Sequence, residues 1–182
     1  MKATDKILLD KQALKAEALE DDAFFPAVVN ISSSYVNTPE VNESLVKLIK
    51  DGIHVVVAAG DEDKPLPKLG RDLESIIWVG ASTLGDKKWK YSNYGPGVDL
   101  FAPGEDIKSA TCSSGDIYSE ATQSGTAFAV PHVTGIIACL LSHPSYSALE
   151  PKMMKEKILA MAEDVVNHGE HICNGLNTMS LV

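Results

Sequence analysis

Basic charge is scarce in this chain. Of 182 residues only 16 are Lys or Arg, against 25 Asp and Glu, giving a formal net charge of −9 and a pI near 4.9. Such a surface repels phosphate backbones and anionic headgroups, which argues against nucleic acid or a membrane as partner. Long hydrophobic runs are also missing, and no stretch approaches a membrane span. Three cysteines, Cys112, Cys139 and Cys173, cannot all pair within the chain, and their spacing suggests neither a disulfide framework nor a metal site. Residues 1–10 lack the apolar core of a signal peptide, so the chain as written reads as cytoplasmic. There is no internal repeat, low-complexity segment or linker. With 45% hydrophobic residues, the length suits one domain, residues 1–182, with a sizeable core.

Hydrophobic periodicity then orders the elements. Residues 5–22 place Ile7, Leu8, Leu14, Ala18 and Leu19 at roughly helical spacing, which predicts an amphipathic helix ending at the acidic run Glu20-Asp-Asp22. Residues 27–31 predict a short buried strand, and Ser32-Ser-Ser34 a loop. Residues 40–51 predict a helix stopped by Gly52. Residues 54–59 are apolar on both faces, as parallel strands are. Residues 61–70 read as a loop, 75–82 as a third strand and 98–101 as a fourth. Residues 126–141 keep almost no charge and predict a helix buried on most sides, with Cys139 inside it as a small hydrophobe. Residues 151–162 predict a closing helix. Strands alternating with helices imply a layered α/β/α fold with a mostly parallel sheet.

The most specific stretch is Gln123-Ser-Gly-Thr-Ala-Phe-Ala-Val-Pro-His-Val-Thr-Gly135. It resembles the nucleophile motif of the subtilisin-like serine proteases, Gly-Thr-Ser-Met/Phe-Ala-x-Pro-His-Val. Further segments agree in family order. Val28-Val-Asn-Ile-Ser32 resembles the strand entering the substrate cleft. His54-Val-Val-Val-Ala-Ala-Gly60 resembles the strand ending in Ala-Gly-Asn. Tyr91-Ser-Asn-Tyr-Gly-Pro-Gly-Val-Asp-Leu-Phe-Ala-Pro-Gly104 resembles the family's Ser-Asn-x-Gly segment, and the Gly175-Leu-Asn177 ending also fits. The resemblance covers residues 27–182, is nearest the proteinase K-like branch, and corresponds to the second half of a subtilase catalytic domain. It implies serine endopeptidase ancestry, a partial subtilisin-like fold and, since the family is mostly secreted, a different compartment from the one the N-terminus suggests.

The same resemblance implies that the catalytic parts are gone. The position of the reactive serine is Ala127, and a methyl group has no lone pair with which to form an acyl-enzyme. The family's Asp-Thr/Ser-Gly and His-Gly-Thr motifs do not occur. Of the five histidines, His132 matches a packing residue, and His54, His143, His168 and His171 read as structural or solvent-facing. Ser124, beside the vacant position, is a serine that relatives commonly carry and does not replace the nucleophile. The oxyanion asparagine becomes Asp61, and an ionised carboxylate accepts hydrogen bonds rather than donating them. A substrate cleft is expected from Ser32, Ser33 and Ser34 on one side, Ala58, Ala59 and Gly60 on the other, and Gly125 and Thr126 at its floor. Ser34 brings a side chain where the family has glycine, which weakens the case for extended-peptide binding.

Asp99 matches a carboxylate that helps to hold calcium in proteinase K-like relatives, with carbonyls near Glu74 and Ile76. A surface or capping role is the preferred expectation for it, calcium the weaker one, and no other cofactor is expected. The resemblance further implies that strands are wanting beside residues 27–31. That edge would be covered by residues 1–24, by a second copy in a homo-oligomer, or by another protein, including the first half of a subtilase. Three functions are consistent with these residues: a silent subtilase domain that binds a peptide or protein segment, a fragment or trapped mutant of an active endopeptidase, and a relic without activity.

Overall fold

The computed structural model describes residues 3–17, 26–33, 38–111 and 119–162. Helix α1 (Ala3–Glu17) is followed by β1 (Val28–Ile31), α2 (Pro39–Lys50), β2 (His54–Ala58), β3 (Ile77–Ser82), β4 (Leu100–Pro103), β5 (Ile107–Ala110), β6 (Glu120–Gln123), α3 (Thr126–Leu141) and α4 (Pro151–Met161). Strands β1 to β4 form one parallel sheet in the order β1-β2-β3-β4. The layered α/β fold expected from the sequence is therefore observed.

Local chemistry sets the boundaries. Thr38 caps α2, its hydroxyl accepting from the Val41 N–H at 3.4 Å, with Pro39 in the first turn. Gly52 then adopts φ +73°, where a side chain would be strained, and turns the chain into β2. Every residue of β2 and β3 is buried. Alternation along these strands divides the core in two. Val56, Ala58, Ile77 and Val79 face Val130, Val133 and Ile137 of α3 and Met154 and Ile158 of α4. Val55, Val57 and Trp78 face Leu45 and Leu48 of α2, with Ile7 and Leu8 of α1 packed behind. Helices thus cover both faces of the sheet.

Four expectations need correction. First, α3 is buried on one side only. Ala129, Val130, Val133 and Ile137 are buried, Ile136 and Leu140 are half-buried, and Pro131, Gly135 and Ala138 are exposed. Low charge along this helix reflects an exposed apolar face, not burial all round. Second, Cys139 lies on that face and is exposed. Third, Leu14 of α1 is exposed, while Ala18 and Leu19 lie outside the described residues. Fourth, β4 begins two residues later than the sequence reading, and the antiparallel pair β5–β6 was not anticipated. These two strands are short, and five of their eight residues are polar or charged, so neither carries a buried apolar signal. Cys112 and Cys173 lie outside the described residues. Among the described residues no helix is long and apolar enough to cross a membrane.

Candidate functional site

All four parallel strands point their C-terminal ends the same way, the end at which open α/β sheets place their ligand crevices. Helix α3 crosses the sheet and presents its N-terminus there. Gly104, just after β4, accepts from the Gly125 N–H at 2.8 Å, which anchors the start of α3 beside the strand ends. The Ser124 hydroxyl accepts from the Asp106 N–H at 2.9 Å and is thereby tied to the turn before β5.

Asp61, immediately past Gly60, reaches across to the same helix end. Its Oδ1 accepts from the Thr126 N–H at 2.8 Å and from the Thr126 hydroxyl at 2.7 Å. The Thr126 hydroxyl oxygen in turn accepts from the Gly60 N–H at 3.1 Å. A carboxylate here satisfies one of the N–H groups that a helix leaves unpaired in its first turn, and it sits at the positive end of the helix dipole. The other oxygen, Oδ2, lies where a Cβ on Gly125 would come within 2.9 Å, and Gly125 itself has φ +155°. Position 125 is thus held to glycine by both conformation and space.

Ala127 is the second residue of α3 and is half-buried. Its carbonyl accepts from the Ser32 hydroxyl at 2.8 Å, and Ser32 accepts from the Asn30 amide at 2.7 Å. The Thr134 hydroxyl donates to Asn30 Oδ1 at 3.2 Å. A polar thread therefore runs from the end of β1 along α3. Ser33 is exposed beside it, and Ser34 lies outside the described residues. The structure brings Ser32, Gly60, Asp61, Gly125, Thr126 and Ala127 together, with Ala58 and Ala59 buried behind them.

The described histidines are engaged away from Ala127. His132 Nδ1 bonds the Phe128 carbonyl one turn back on α3, and His143 Nδ1 accepts from the Ser145 N–H. His54 opens β2 at the opposite end of the sheet, where burial and the Lys11 ammonium lower its pKa to about 4. His168 and His171 lie outside the described residues.

Two positioning residues escaped the sequence reading. The buried Asn93 amide donates to the Ala59 carbonyl at 2.8 Å and to Glu62 Oε2 at 2.7 Å, while its Oδ1 accepts from the Lys64 N–H at 2.9 Å. Ser92 accepts from the Ala81 N–H at 2.9 Å. Together they hold the Gly60–Lys64 loop, and so Asp61, against β3. The fit is tight: a Cβ on Gly60, whose φ is +104°, would lie 2.4 Å from Asn93 Nδ2. The signal was present in the Ser92-Asn93 pair of the Ser-Asn-x-Gly segment, which carries the resemblance but shows no role by spacing alone.

Asp99 is neither a surface residue nor a simple cap. It precedes β4 at the far end of the sheet, mostly buried, and its carboxylate pairs with the Lys155 ammonium of α4 at 2.7 Å. Burial pushes the Asp99 carboxyl above its ordinary range, with Lys155 opposing that shift.

The pattern of known proteins now decides the lineage. The sequence model of the Subtilase family matches residues 14–175. This chain belongs to the subtilase family. It is 33% identical over 162 residues to subtilisin-like protease 11 of Arthroderma benhamiae, an alignment covering 88% of this chain and 39% of that protein. It is 36% identical over 155 residues to subtilisin-like protease 2 of Trichophyton verrucosum, covering 82% and 36% respectively. The crystal structure of a cold-adapted subtilisin-like serine proteinase superposes with a TM-score of 0.69 at 26% identity, covering 97% of this chain and 61% of that one. This chain therefore spans under two fifths of the length of these two relatives. None of these likenesses supports the cytoplasmic expectation.

Proposed function

We propose that this subtilase domain has no peptidase activity of its own and acts by binding a protein segment. One observation carries the reading: at the start of α3 the position expected for the nucleophile holds Ala127, and the neighbouring Asp61 carboxylate accepts both hydrogen bonds of Thr126 through Oδ1. Hydrolysis needs a nucleophile, a base and a donor aimed at the developing oxyanion. Here the first is a methyl group and the position expected for the third holds an acceptor.

A binding role is favoured by what lies next to that site. The outer edge of β1 pairs with nothing among the described residues, since β1 closes one end of the sheet order. The polar thread from Ser32 through Asn30 to Thr134 joins this strand to the near flank of α3. On the other flank of α3, Pro131, Ile136, Cys139, Leu140 and Tyr146 border an apolar groove of about 530 Å³, a second surface on which a partner could rest. An extended segment could pair with the open edge of β1 through backbone hydrogen bonds, which is strand addition.

The test is direct. The purified chain is incubated with casein and a panel of peptide anilides, and titrated with a fluorophosphonate probe. Neither turnover nor labelling is expected. Hydrolysis above a heat-killed control, or covalent labelling, overturns the reading. A second reading, a segment of an otherwise active serine endopeptidase, is favoured by the relatives' greater length. Restoring serine at position 127 in any longer protein that carries this chain would then produce probe labelling.

A further inference from the structure

At the end of the sheet opposite Ala127, four oxygen atoms converge on a single cation, and that cation is a side chain. Lys155 projects from α4 and donates to the Glu74 carbonyl at 2.9 Å, the Ile76 carbonyl at 2.7 Å and Asp99 Oδ2 at 2.8 Å. Asp99 Oδ1 lies 2.7 Å from the same ammonium. The Lys155 and Asp99 side chains are only 15% and 17% exposed. Asp99 is itself aimed by the Trp78 N–H, which donates to Oδ2 at 2.8 Å. A cavity of about 360 Å³, bordered by Trp78, Gly97, Asp99 and Lys155, adjoins the cluster.

The donor set is informative. A carboxylate offering both oxygens and two backbone carbonyls make a cage of hard oxygen ligands, the kind that Ca²⁺ takes. The cage carries one formal negative charge, and the ammonium balances it. A metal ion cannot enter while Nζ stands among the same oxygens, because it would meet a like charge at contact distance with too few free ligands. The residues present therefore do not fit the calcium ion that the resemblance of Asp99 suggested. We propose that Lys155 is a built-in replacement for a structural metal ion: it frees this part of the fold from calcium, and removing its ammonium opens a calcium site. The pairing ties the start of β3 and the start of β4 to α4, elements far apart in sequence that the bare oxygens would otherwise push apart.

The experiment compares thermal midpoints of the full chain in 10 mM CaCl2 and in EDTA, at fixed ionic strength, with MgCl2 as control. For the unmodified chain the two midpoints should agree within about 1 °C. Lys155→Ala should have a lower midpoint in EDTA and regain about 3–6 °C in CaCl2, the size expected for a single weak calcium site of millimolar affinity in a domain of this length. Magnesium should restore less, since it gives up its water reluctantly. Lys155→Met fills the space without the charge and should be destabilised equally in both buffers. Terbium luminescence sensitised by Trp78 should appear in Lys155→Ala and vanish when Asp99→Asn is added. If Lys155→Ala folds only poorly, refolding yield replaces the midpoint, with recovery in calcium and not in EDTA as the expected result. The proposal is overturned by an Asp99-dependent calcium response in the unmodified chain, or by a Lys155→Ala variant that is equally stable, or equally unable to fold, with and without calcium.

Discussion

Asp61 closes the N-terminus of α3 by holding both hydrogen-bond donors of Thr126, the backbone N–H at 2.8 Å and the hydroxyl at 2.7 Å. Under the function proposed above, the position expected to donate to a reaction intermediate instead accepts from the first residue of α3. In this structure the Asp61 carboxylate caps the start of α3. Asp61→Ala should therefore destabilise the fold by about 1 kcal/mol, as loss of a capping acceptor does. Asp61→Asn keeps an acceptor but loses the charge at the helix dipole and should cost a few tenths to about 1 kcal/mol. Urea unfolding monitored by far-UV circular dichroism measures both. A stabilised Asp61→Ala would mean that the contact is not a cap.

Restoring the nucleophile should not restore the enzyme. Ala127→Ser places a hydroxyl at the second residue of α3, but no described histidine is bonded near it to take its proton. Ala127→Ser combined with Asp61→Asn should still show only trace hydrolysis of peptide anilides. In subtilisin itself, loss of the oxyanion asparagine alone costs roughly 100–1000-fold, so that group is a helper and not a substitute for the base. Robust turnover by the double variant would reveal a base not visible at this helix end.

His54 makes stability depend on acid. Its ring is buried at 1% exposure, neither nitrogen has a partner among the described residues, and its pKa is lowered to about 4 by burial and then by Lys11. Unfolded, the ring takes a proton near its usual 6.5. Between those values the unfolded chain binds more protons, so stability is full above pH 6.5, falls as pH drops through the window, and loses no more from this residue below about 4. The difference is on the order of 3 kcal/mol. His54→Leu should flatten that part of the profile, and the comparison of the two chains separates His54 from carboxylates titrating nearby. Parallel profiles would show that the ring takes up its proton without leaving the core.

The elements that were legible in the sequence share one property: burial on a regular period. Strands β2 and β3 are buried at every residue, and the run of Val and Ala reads directly as a two-sided core strand. Helix α3 was legible in extent, because its ends coincide with the glycine before Thr126 and the close of the apolar run. Its burial was not, because an apolar residue facing solvent has the same spelling as one facing the core. Thr126, Ala127 and Asp61 could be singled out by their motifs, and the fold places all three at one helix end. What Asp61 bonds was not legible, since residues 65 apart meet only through the fold. Lys155 shows the same limit: within an amphipathic helix a lysine is read as surface, and only the closeness of Glu74, Ile76 and Asp99 turns it into a buried cation.

The outer edge of β1 should make the chain associate. Strand β1 carries no charged residue and, among the described residues, pairs only with β2, whereas natural edge strands are usually blunted by charge, proline or a bulge. The fold also indicates which residue to change. Val29 packs into the core shared with α2, so a charge there would disturb folding and not only the edge. The Ala27 carbonyl accepts from the His54 N–H, so the peptide groups of alternate residues, Val28 and Asn30, turn away from β2. Asn30 is exposed, and Asn30→Pro removes an outward N–H while leaving the bonds to β2 in place. Sedimentation of the unmodified chain at tens of micromolar should show dimers or larger species, and Asn30→Pro should shift it towards monomer with helix content unchanged. A clean monomer without the substitution would mean that the edge is already covered within the chain, and it would remove the main support for strand addition as the mode of partner binding.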